Sequence, residues 1–486
     1  MRASSYLTKS QLCLFPVWGF IYNVYFHQLA SFPGPKLYGG SDIPWIIHAF
    51  RGDWPRKWTE LHNKYGPIVR VGVSELSFTN PAAWSDIYGQ QPGLRAMEKS
   101  GGSSSEGFGT QNIVNADAKT HPRQRRVLSY AFGDKALRER EGLITQYVDL
   151  LMKRLHDKAA SDDTVDITAW FNYTTFDILG DLAFSESFHC LENSRYHPWI
   201  LMKISNMKMV VWKNLVNRYV PVLGSLMRLF ATEVMAQSDE VIRLSKRRAS
   251  QRLTLETSRP DFMTHMLQHS NERNGMTTAE VEANAYVLII AGSETTATLL
   301  TGAVFYLLLN PAALARLVKE IRSSFSAEAD ITDAAVSKLP YLSAVFNETF
   351  RLYPPVDGAS NRVVPEGGAF IDGQFVPGGT RVGIPVTAAY QCRHYFRKPN
   401  LFIPERWSDR AYDSDEKAVL QPFGVGPRNC IGRTLAYMEM RLIMSRLLWN
   451  FDIELLPGQK NWSDQKLFIL WDKGPLNIRL NAVERK

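Results

Sequence analysis

The sequence predicts a mainly α fold with small β-sheets, arranged around one long central helix. Residues 277–310 form a largely apolar stretch of roughly thirty residues, far longer than the average helix. Helical patterns dominate from about residue 110 to residue 352. Strand patterns are short and lie near residues 67–80 and 369–385, so the sheets are expected to be small.

The central helix has clear ends and a polar middle. Thr277 and Glu280 form a capping-box pattern at its start, and an Asn-Pro pair closes it. A membrane span is the alternative, but Glu294 and its hydroxyl neighbours are costly at mid-bilayer depth. We therefore expect a helix buried inside the protein, in which Gly292 lets backbone or a ligand approach closely.

Composition indicates one large globular domain over residues 31–486. The chain has 486 residues, of which 45% are hydrophobic and 12% aromatic, and no Gly/Ser- or Pro-rich linker divides it. The net charge of +8 suits an acidic partner, an anionic cofactor or a membrane surface. Nucleic acid is not expected as a partner, because the basic residues are scattered. Four cysteines without regular spacing make a disulfide framework unexpected.

Residues 1–30 are predicted to form an N-terminal membrane anchor. Seventeen uncharged residues separate Lys9 from His27, and Trp18, Tyr22 and Phe26 crowd the end of this run. A buried helix is the alternative, since about 20 apolar residues are needed to span a bilayer. A cleaved signal peptide is disfavoured because no small-residue cleavage site follows.

Cys430 stands in the loop PFGVGPRNCIG, immediately before an apolar helix. A small buried hydrophobe or a catalytic nucleophile would explain an isolated cysteine, but neither explains the flanking Gly426 and Gly432. A helix that begins near Ile431 would direct its amides at the sulfur and favour a thiolate. One thiolate is too few for a zinc site, but it suffices as the axial ligand of a haem.

Two further motifs lie between the central helix and the cysteine loop. Glu348 and Arg351 are spaced i, i+3 on one helix face, and Arg406 is placed where it can join them. Asp372-Gly373 lies between two short strand patterns and predicts a hairpin.

Together these motifs closely resemble those of the cytochrome P450 superfamily, the haem-thiolate monooxygenases. PFGVGPRNCIG resembles the family's cysteine loop, AGSETT its oxygen-activation helix, ETFR its Glu-x-x-Arg pair and PERW the arginine that completes a buried triad. The resemblance extends from about Phe32 to Leu480. The local sequence in several segments is similar to that of filamentous-fungal members of the microsomal type that act on secondary metabolites.

The resemblance implies a P450 fold that binds haem b, with Cys430 as the ligand of the iron. Phe423 would pack near the sulfur, and cationic side chains would hold the haem propionates. In many members a tryptophan stands where His121 does. The implied cofactor-binding residues are Cys430, Phe423, Arg428, Gly432, His121, Arg125, Arg362, Ala291 and Gly292, and the implied structural triad is Glu348, Arg351 and Arg406.

The same resemblance implies a monooxygenase that inserts one oxygen atom from O2 into an apolar substrate. Glu294 and Thr295 would deliver protons during dioxygen activation. Relatives that isomerise or dehydrate peroxides without external electrons often lack this acid and alcohol, and a non-catalytic haem-binding sensor would not need them. Both remain as alternatives.

The resemblance also implies partners, a location and a substrate region. Electrons would come from an NADPH-cytochrome P450 reductase that docks on Arg126, Lys135 and Arg433, with the catalytic domain on the cytosolic face of the endoplasmic reticulum membrane. The substrate is expected to be a terpenoid, polyketide or alkaloid. Its pocket would include the 95–115 loop, the 199–230 segment, Leu288–Ala291, Val356–Ser360 and Phe468. Asp357 either caps the turn at Gly358 or accepts a hydrogen bond from a substrate hydroxyl or protonated amine.

Overall fold

The computed structural model describes residues 9–90, 96–100, 109–198, 208, 211–212, 215–216, 232–254, 261–268, 275–358 and 361–484. Within these residues the predicted mainly α fold is confirmed. The α-helices are α1 Lys9–Tyr25, α2 Lys36–Gly40, α3 Ile43–Arg51, α4 Trp54–Tyr65, α5 Pro81–Tyr88, α6 Thr120–Ala131, α7 Asp134–Arg138, α8 Glu141–Ala160, α9 Ile167–Phe184, α10 Cys190–Asn193, α11 Thr232–Thr254, α12 Phe262–Gln268, α13 Thr278–Leu309, α14 Pro311–Ser324, α15 Asp333–Val336, α16 Pro340–Leu352, α17 Val386–Tyr390 and α18 Arg433–Asn450.

Short strands form three small sheets. The strands are β1 Ile68–Gly72, β2 Glu75–Phe78, β3 Glu98–Lys99, β4 Val165–Asp166, β5 Arg362–Val363, β6 Ala369–Ile371, β7 Gln374–Val376, β8 Arg381–Gly383, β9 Phe451–Leu455 and β10 Asn477–Ala482. The largest sheet has the order β1-β2-β8-β5-β3, the second β4-β10-β9 and the third β6-β7. The predicted hairpin is confirmed: it joins β6 to β7 through Asp372 and Gly373, which both adopt positive φ as a tight hairpin turn requires.

The central helix α13 is the predicted one and is buried along most of its length. The Thr277 hydroxyl accepts the Glu280 N–H, and the Glu280 carboxylate accepts the Thr277 N–H, so both halves of the capping box form. The helix packs most extensively against α9, and Gly292 lies at this contact, where an added Cβ would come within 3.0 Å of Leu179. Gly292 therefore allows the close approach of α9 to α13.

Helix α13 is also long and apolar enough to cross a membrane. Most of it is enclosed by the surrounding helices, with α9, α16 and α18 in contact with it. A charged side chain, Glu294, lies near its middle and is itself buried. Because these neighbours occupy the positions that lipid would fill, α13 is the core helix of this domain.

The second half of α1 is attached to the domain. The Asn23 amide donates to the Gly40 carbonyl, and the Arg70 guanidinium donates to the Asn23 carbonyl. Trp18, Tyr22 and Phe26 nevertheless remain more than half or about half exposed on the outer side. Aromatic side chains in this position suit a membrane–water interface.

Candidate active site

The loop that ends in Cys430 is fixed by a tight backbone contact. Gly426 has φ +76°, and an added Cβ would lie 2.0 Å from the Tyr88 carbonyl oxygen, so no other residue fits here. The Cys430 N–H donates to the Phe423 carbonyl at 2.8 Å, which closes the loop. Gly432 caps α18 and leaves space beside the sulfur, 3.9 Å from where its Cβ would stand. The loop therefore presents the sulfur at the start of α18.

Opposing effects act on the Cys430 thiol. Desolvation by the surrounding protein atoms raises its pKa, whereas the Gly432 amide at the helix start and Arg125 lower it. The residue is nevertheless exposed, because it lines an open cavity. A coordinated metal ion deprotonates a thiol outright, so bound iron would hold Cys430 as the thiolate.

Cys430 opens into a cavity of about 330 Å³. Ala291, Thr295 and Thr296 of α13 line it, and apolar side chains supply most of the remaining wall. These side chains come from the end of α16, the segment after it, the cysteine loop and α18: Phe350, Pro354, Pro355, Val356, Phe423, Ala436 and Met440. Such a pocket, apolar with few polar groups, is typical of a small-molecule site.

One part of the cavity wall carries closely spaced positive charge. Lys99, Arg362 and Arg428 line it, and Nη1 of Arg428 is buried without a hydrogen-bond partner. Burial, together with Arg362 and Arg428, lowers the pKa of Lys99 to about 8. Burial also lowers the pKa of both arginines. Cations held this close together and out of water are the signature of a site for an anion.

His121 and Arg125, the other two predicted propionate ligands, lie beside this cluster on α6. Burial, followed by the nearby cations with Arg428 foremost, lowers the pKa of His121 to about 4. The imidazole is therefore neutral near pH 7. Arg125 donates to the carbonyl and to the side chain of Asn429, next to Cys430. The structure thus brings all four predicted residues to one end of the site, and Lys99 joins them.

The polar residues of α13 divide into two groups. Thr295 and Thr296 line the cavity and donate their hydroxyls to the Ala291 and Gly292 carbonyls, at 2.6 Å and 2.9 Å. Glu294 is not among the described residues that line the cavity, since its carboxylate binds the Lys473 ammonium at 2.5 Å in the interior. The predicted acid and alcohol are therefore neighbours in sequence, but their side chains point to different surroundings.

The predicted substrate residues occupy three different places. Val356 lines the main cavity, whereas Leu288 is buried in the core and lines neither described cavity. Asp357 and Phe468 line a second cavity of about 240 Å³. The Asp357 carboxylate accepts the Thr387 N–H at 2.6 Å, so it caps α17, and the prediction that it caps the turn at Gly358 is wrong. Residues 101–108, most of the 199–230 segment and residues 359–360 lie outside the described residues.

Comparison with known proteins decides the family. The cytochrome P450 family model matches residues 39–479. The chain is a cytochrome P450.

Three relatives show which P450 proteins this chain is similar to. It is 43% identical to the cytochrome P450 monooxygenase astA of Talaromyces wortmannii, over 96% of this chain and 94% of that protein. It is 43% identical to aclL, a cytochrome P450 monooxygenase of Aspergillus oryzae, over 97% of each chain. It is 40% identical to the trichothecene C-15 hydroxylase of Fusarium sporotrichioides, over 95% of this chain and 94% of that one. The resemblance to fungal secondary-metabolite P450 monooxygenases is confirmed.

P450 proteins bind haem b through a cysteine thiolate, and the donor set of this P450 fits that group. A sulfur ligand lies on one wall of the cavity, and a crowded set of cations, in which Nη1 of Arg428 has no partner among the described residues, suits two propionates. Cys430 would hold the iron, while Arg362, Arg428 and Lys99 would hold the carboxylates. Phe423 packs edge-on against Phe350 at 5.4 Å and supports the cysteine loop beneath the cavity.

Glu348, Arg351 and Arg406 of this P450 meet in its interior. Arg351 donates to Glu348 at 2.7 Å and 3.0 Å, and Arg406 reaches the same carboxylate at 3.3 Å. All three side chains are fully buried. Asp415 and Trp407 complete the group, because the former binds Arg406 and the latter donates its indole N–H to Glu348. Buried charges of both signs are thus matched, which fixes the segment before the cysteine loop onto α16.

Sequence reasoning did not single out four residues at or near the site. Lys99 and Trp84 line the cavity, and the buried indole N–H of Trp84 has no partner among the described residues. Lys473 binds Glu294. Glu439 on α18 is buried beside Thr296, and burial raises the pKa of its carboxyl to about 8. Two of the four had a signal in the sequence: Lys99 lies in the predicted 95–115 loop, and Glu439 lies at i+3 from Ala436, on the face of α18 that reaches the cavity.

Proposed function

We propose that this P450 inserts one oxygen atom from O2 into an apolar secondary metabolite, using electrons from an NADPH-cytochrome P450 reductase. The observation that carries the proposal is a single cavity that has a cysteine sulfur on one wall, threonine hydroxyls on another and largely apolar surface between them. Bound haem supplies the activation of dioxygen. The protein supplies the pocket, the orientation of the substrate and the protons.

The apolar wall selects and orients the substrate. Leu299, Val356 and Val386 offer no hydrogen bonds to it, so most of its surface would be held by burial alone. A terpenoid, polyketide or alkaloid skeleton has the carbon-rich surface that such a wall favours. The trichothecene hydroxylase among the relatives is named for an oxidation of a fungal metabolite, which supports this class of substrate.

The proton route passes through Thr295. Its hydroxyl is exposed at the cavity wall and donates to the Ala291 carbonyl, so its oxygen can accept a hydrogen bond from water or a ligand. Glu294 can transfer a proton to this route only when its ion pair with Lys473 is broken. Lys473 therefore controls whether the carboxylate is available, and the Thr295 hydroxyl holds the proton nearest to the reacting atoms.

The electron donor would bind on the face that carries Arg126, Lys135 and Arg433. All three side chains are exposed. The Thr434 hydroxyl contacts Asp134 at 3.5 Å, which places Lys135 next to the start of α18 and therefore next to Arg433. This group adjoins the cysteine loop, and an acidic partner surface would complement it. Replacing all three residues by Glu should slow reduction by the reductase and reduce the salt dependence of its rate.

Association with the endoplasmic reticulum membrane would use the exposed aromatic side chains of the N-terminal segment. Residues 1–30 form the proposed anchor, and residues 31–486 form the catalytic domain on the cytosolic face. Replacing Trp18, Tyr22 and Phe26 by Ser preserves the contacts of Asn23 with Gly40 and Arg70. This variant should sediment less with microsomes while keeping its haem spectrum. Unchanged sedimentation would exclude these side chains as the anchor.

The function is tested with purified P450, its reductase, NADPH and isotopically labelled dioxygen. We expect a panel of fungal terpenoids, polyketides and alkaloids to include at least one compound that gains a single labelled oxygen atom. Turnover of a substrate without NADPH or oxygen would instead show an isomerase or dehydratase. Occupation of the sixth haem position by a protein side chain, with no turnover, would show a sensor.

A further inference from the structure

The second cavity contains a buried carboxylate without an ion-pair partner among the described residues. Asp357 is buried, at 4% exposure, and lines this cavity. One carboxylate oxygen accepts the Thr387 N–H, while Oδ2 has no hydrogen-bond partner within the described part of the chain. Burial raises the pKa of the carboxyl to about 6, and its contacts with Thr387 and Val386 lower it. Because the transfer of a charge out of water is costly, Oδ2 suits a hydrogen-bond donor supplied by a ligand.

Glu75, which lines the same cavity, is a carboxylate with a hydrogen-bond donor on each oxygen. One of its oxygens accepts the Asn361 amide at 2.7 Å, and the other accepts the Arg381 guanidinium at 2.9 Å. The charge of Glu75 is thus matched within the protein. Asp357 has no basic side chain within ion-pair distance among the described residues. The cavity therefore has one free negative charge.

Aromatic rings line the same cavity as this carboxylate. Trp45, Trp54, Trp58 and Phe468 line the cavity. A cation is stabilised over the face of an aromatic ring, and tryptophan is the best of these partners. One wall already binds a cation of the protein, since the Lys208 ammonium lies 5.4 Å from the ring centre of Phe468. A free carboxylate among aromatic rings has the chemistry of a site for a positively charged nitrogen.

The second cavity adjoins the haem cavity at one residue. Gly358 lines both. Gly358 has a φ of +127°, which only glycine adopts without strain. The boundary between the two cavities therefore carries no side chain at this position. Val356, two residues earlier, faces the haem cavity, and Asp357 between them faces the second one. Asp357 and the apolar wall of the haem cavity thus lie on either side of a boundary formed by one glycine.

We propose that the second cavity is a subsite for an ammonium group, and that Asp357 fixes the orientation of a cationic substrate relative to the haem. This inference rests on the proposed function and narrows its substrate class to compounds with a protonated or quaternary nitrogen. Cys430 lines the haem cavity and is not among the described residues that line the second one, so a nitrogen bound at Asp357 would be separate from the proposed iron site. The carbon that is oxidised is then set by its distance from that nitrogen.

Binding of a matched pair of probes tests the subsite. Benzyltrimethylammonium is a cation that cannot coordinate iron, and neopentylbenzene is its neutral isostere. Titration calorimetry on the haem-loaded protein should show that the cation binds at least roughly tenfold more tightly than the isostere. Equal affinities would overturn the proposal.

Two substitutions of Asp357 distinguish its proposed contact with a ligand from its structural contact with the Thr387 N–H of α17. Asp357→Asn keeps an oxygen for the Thr387 N–H but removes the charge, so it should keep the thermal unfolding midpoint and lose the preference for the cation. Asp357→Ala removes both the charge and the oxygen that accepts the Thr387 N–H, so it should also lower the thermal unfolding midpoint. A preference retained in Asp357→Asn would show that the carboxylate is structural only.

Lys208→Met is the control for charge on the same wall. This variant removes a cation that stacks on Phe468, so the preference for benzyltrimethylammonium should be retained or increased. Loss of the preference in Lys208→Met would contradict the proposal. The carbon monoxide spectrum and NADPH-dependent turnover of the parent protein report the proposed function separately, so the subsite can fail while the monooxygenase activity stands.

Discussion

The ammonium of Lys473 lies 2.5 Å from the carboxylate of Glu294, and both side chains are almost fully buried. The same ammonium donates to the Thr298 hydroxyl at 2.5 Å. Lys473 comes from the segment just before β10, so this contact ties the C-terminal part of the chain to the middle of α13. The residue that sequence motifs associate with proton delivery is thus held by an ion pair.

Lys473→Met should destabilise the protein by about 3 kcal/mol, because it leaves the Glu294 carboxylate buried without its partner. The double variant Glu294→Gln/Lys473→Met should lose less than the sum of the two single variants. Urea denaturation measures the free energies of unfolding. Lys417→Met is the control, because its partner Asp413 is an exposed residue at 3.7 Å, and its effect should stay below about 0.5 kcal/mol. Additive effects in the double variant would show that the buried pair has no coupling energy.

Cys430→Ala should abolish the red-shifted Soret band of the reduced, carbon-monoxide-bound protein, because that band requires a thiolate ligand. Cys392→Ala is the matched control: this cysteine is buried in another part of the protein and should leave the band intact. Absorbance spectra of the two purified variants, reduced and bound to carbon monoxide, test the assignment of Cys430 as the haem ligand. A normal band in Cys430→Ala would disprove the ligand assignment.

Thr295→Ala should retain haem but divert electrons from product to hydrogen peroxide, because the cavity wall loses its hydroxyl. The ratio of product formed to NADPH consumed is the measurement. Thr301→Ala is the control on the same helix, since its buried hydroxyl bonds only to the Ala297 carbonyl among the contacts described and does not line the cavity. If both variants keep the parental ratio, the proton route does not use Thr295.

Glu439→Gln should change how stability depends on pH. The pKa of the Glu439 carboxyl rises from 4.5 to about 8 on folding because of burial. Since the folded state holds this proton more tightly, the group costs stability as pH rises from 4.5 to 8. Glu439→Gln should remove that loss, which amounts to at most about 5 kcal/mol. The variant should therefore be more stable than the parent protein at pH 8 but not at pH 4.5.

Urea denaturation at several pH values measures this effect. Glu454→Gln is the control because Glu454 is an exposed residue on β9. It should leave the pH dependence unchanged. Parallel stability curves for Glu439→Gln and the parent protein would mean that Glu439 does not bind a proton on folding.

Local sequence was sufficient for the features that depend on neighbours along the chain. The capping box at Thr277 and Glu280 and the hairpin at Asp372-Gly373 both formed as predicted. Each requires residues no more than a few positions apart, with dihedral angles that those residue types prefer. The loop before Cys430 belongs to the same group, because its glycines specify the turn that presents the sulfur.

Features that depend on charge and burial were decided only by the tertiary structure. The Gly432 amide at the helix start lowers the pKa of the Cys430 thiol, as the sequence predicted, but desolvation, which depends on the packing around the loop, raises it. The resemblance paired Glu294 with Thr295 in proton delivery, but Lys473, almost 180 residues later, binds the Glu294 carboxylate away from the cavity that Thr295 lines. Asp357 likewise caps a helix that begins some thirty residues further along.

The sequence by itself determined the family, the cysteine proposed to hold the haem and the two ends of the central helix. These follow from short motifs whose spacing and backbone preferences are local. The tertiary structure alone decided which carboxylates are paired, which are neutral and which face a cavity. The physical reason is that the energy of a buried charge depends on the groups packed around it, and residues far apart in the chain supply those groups.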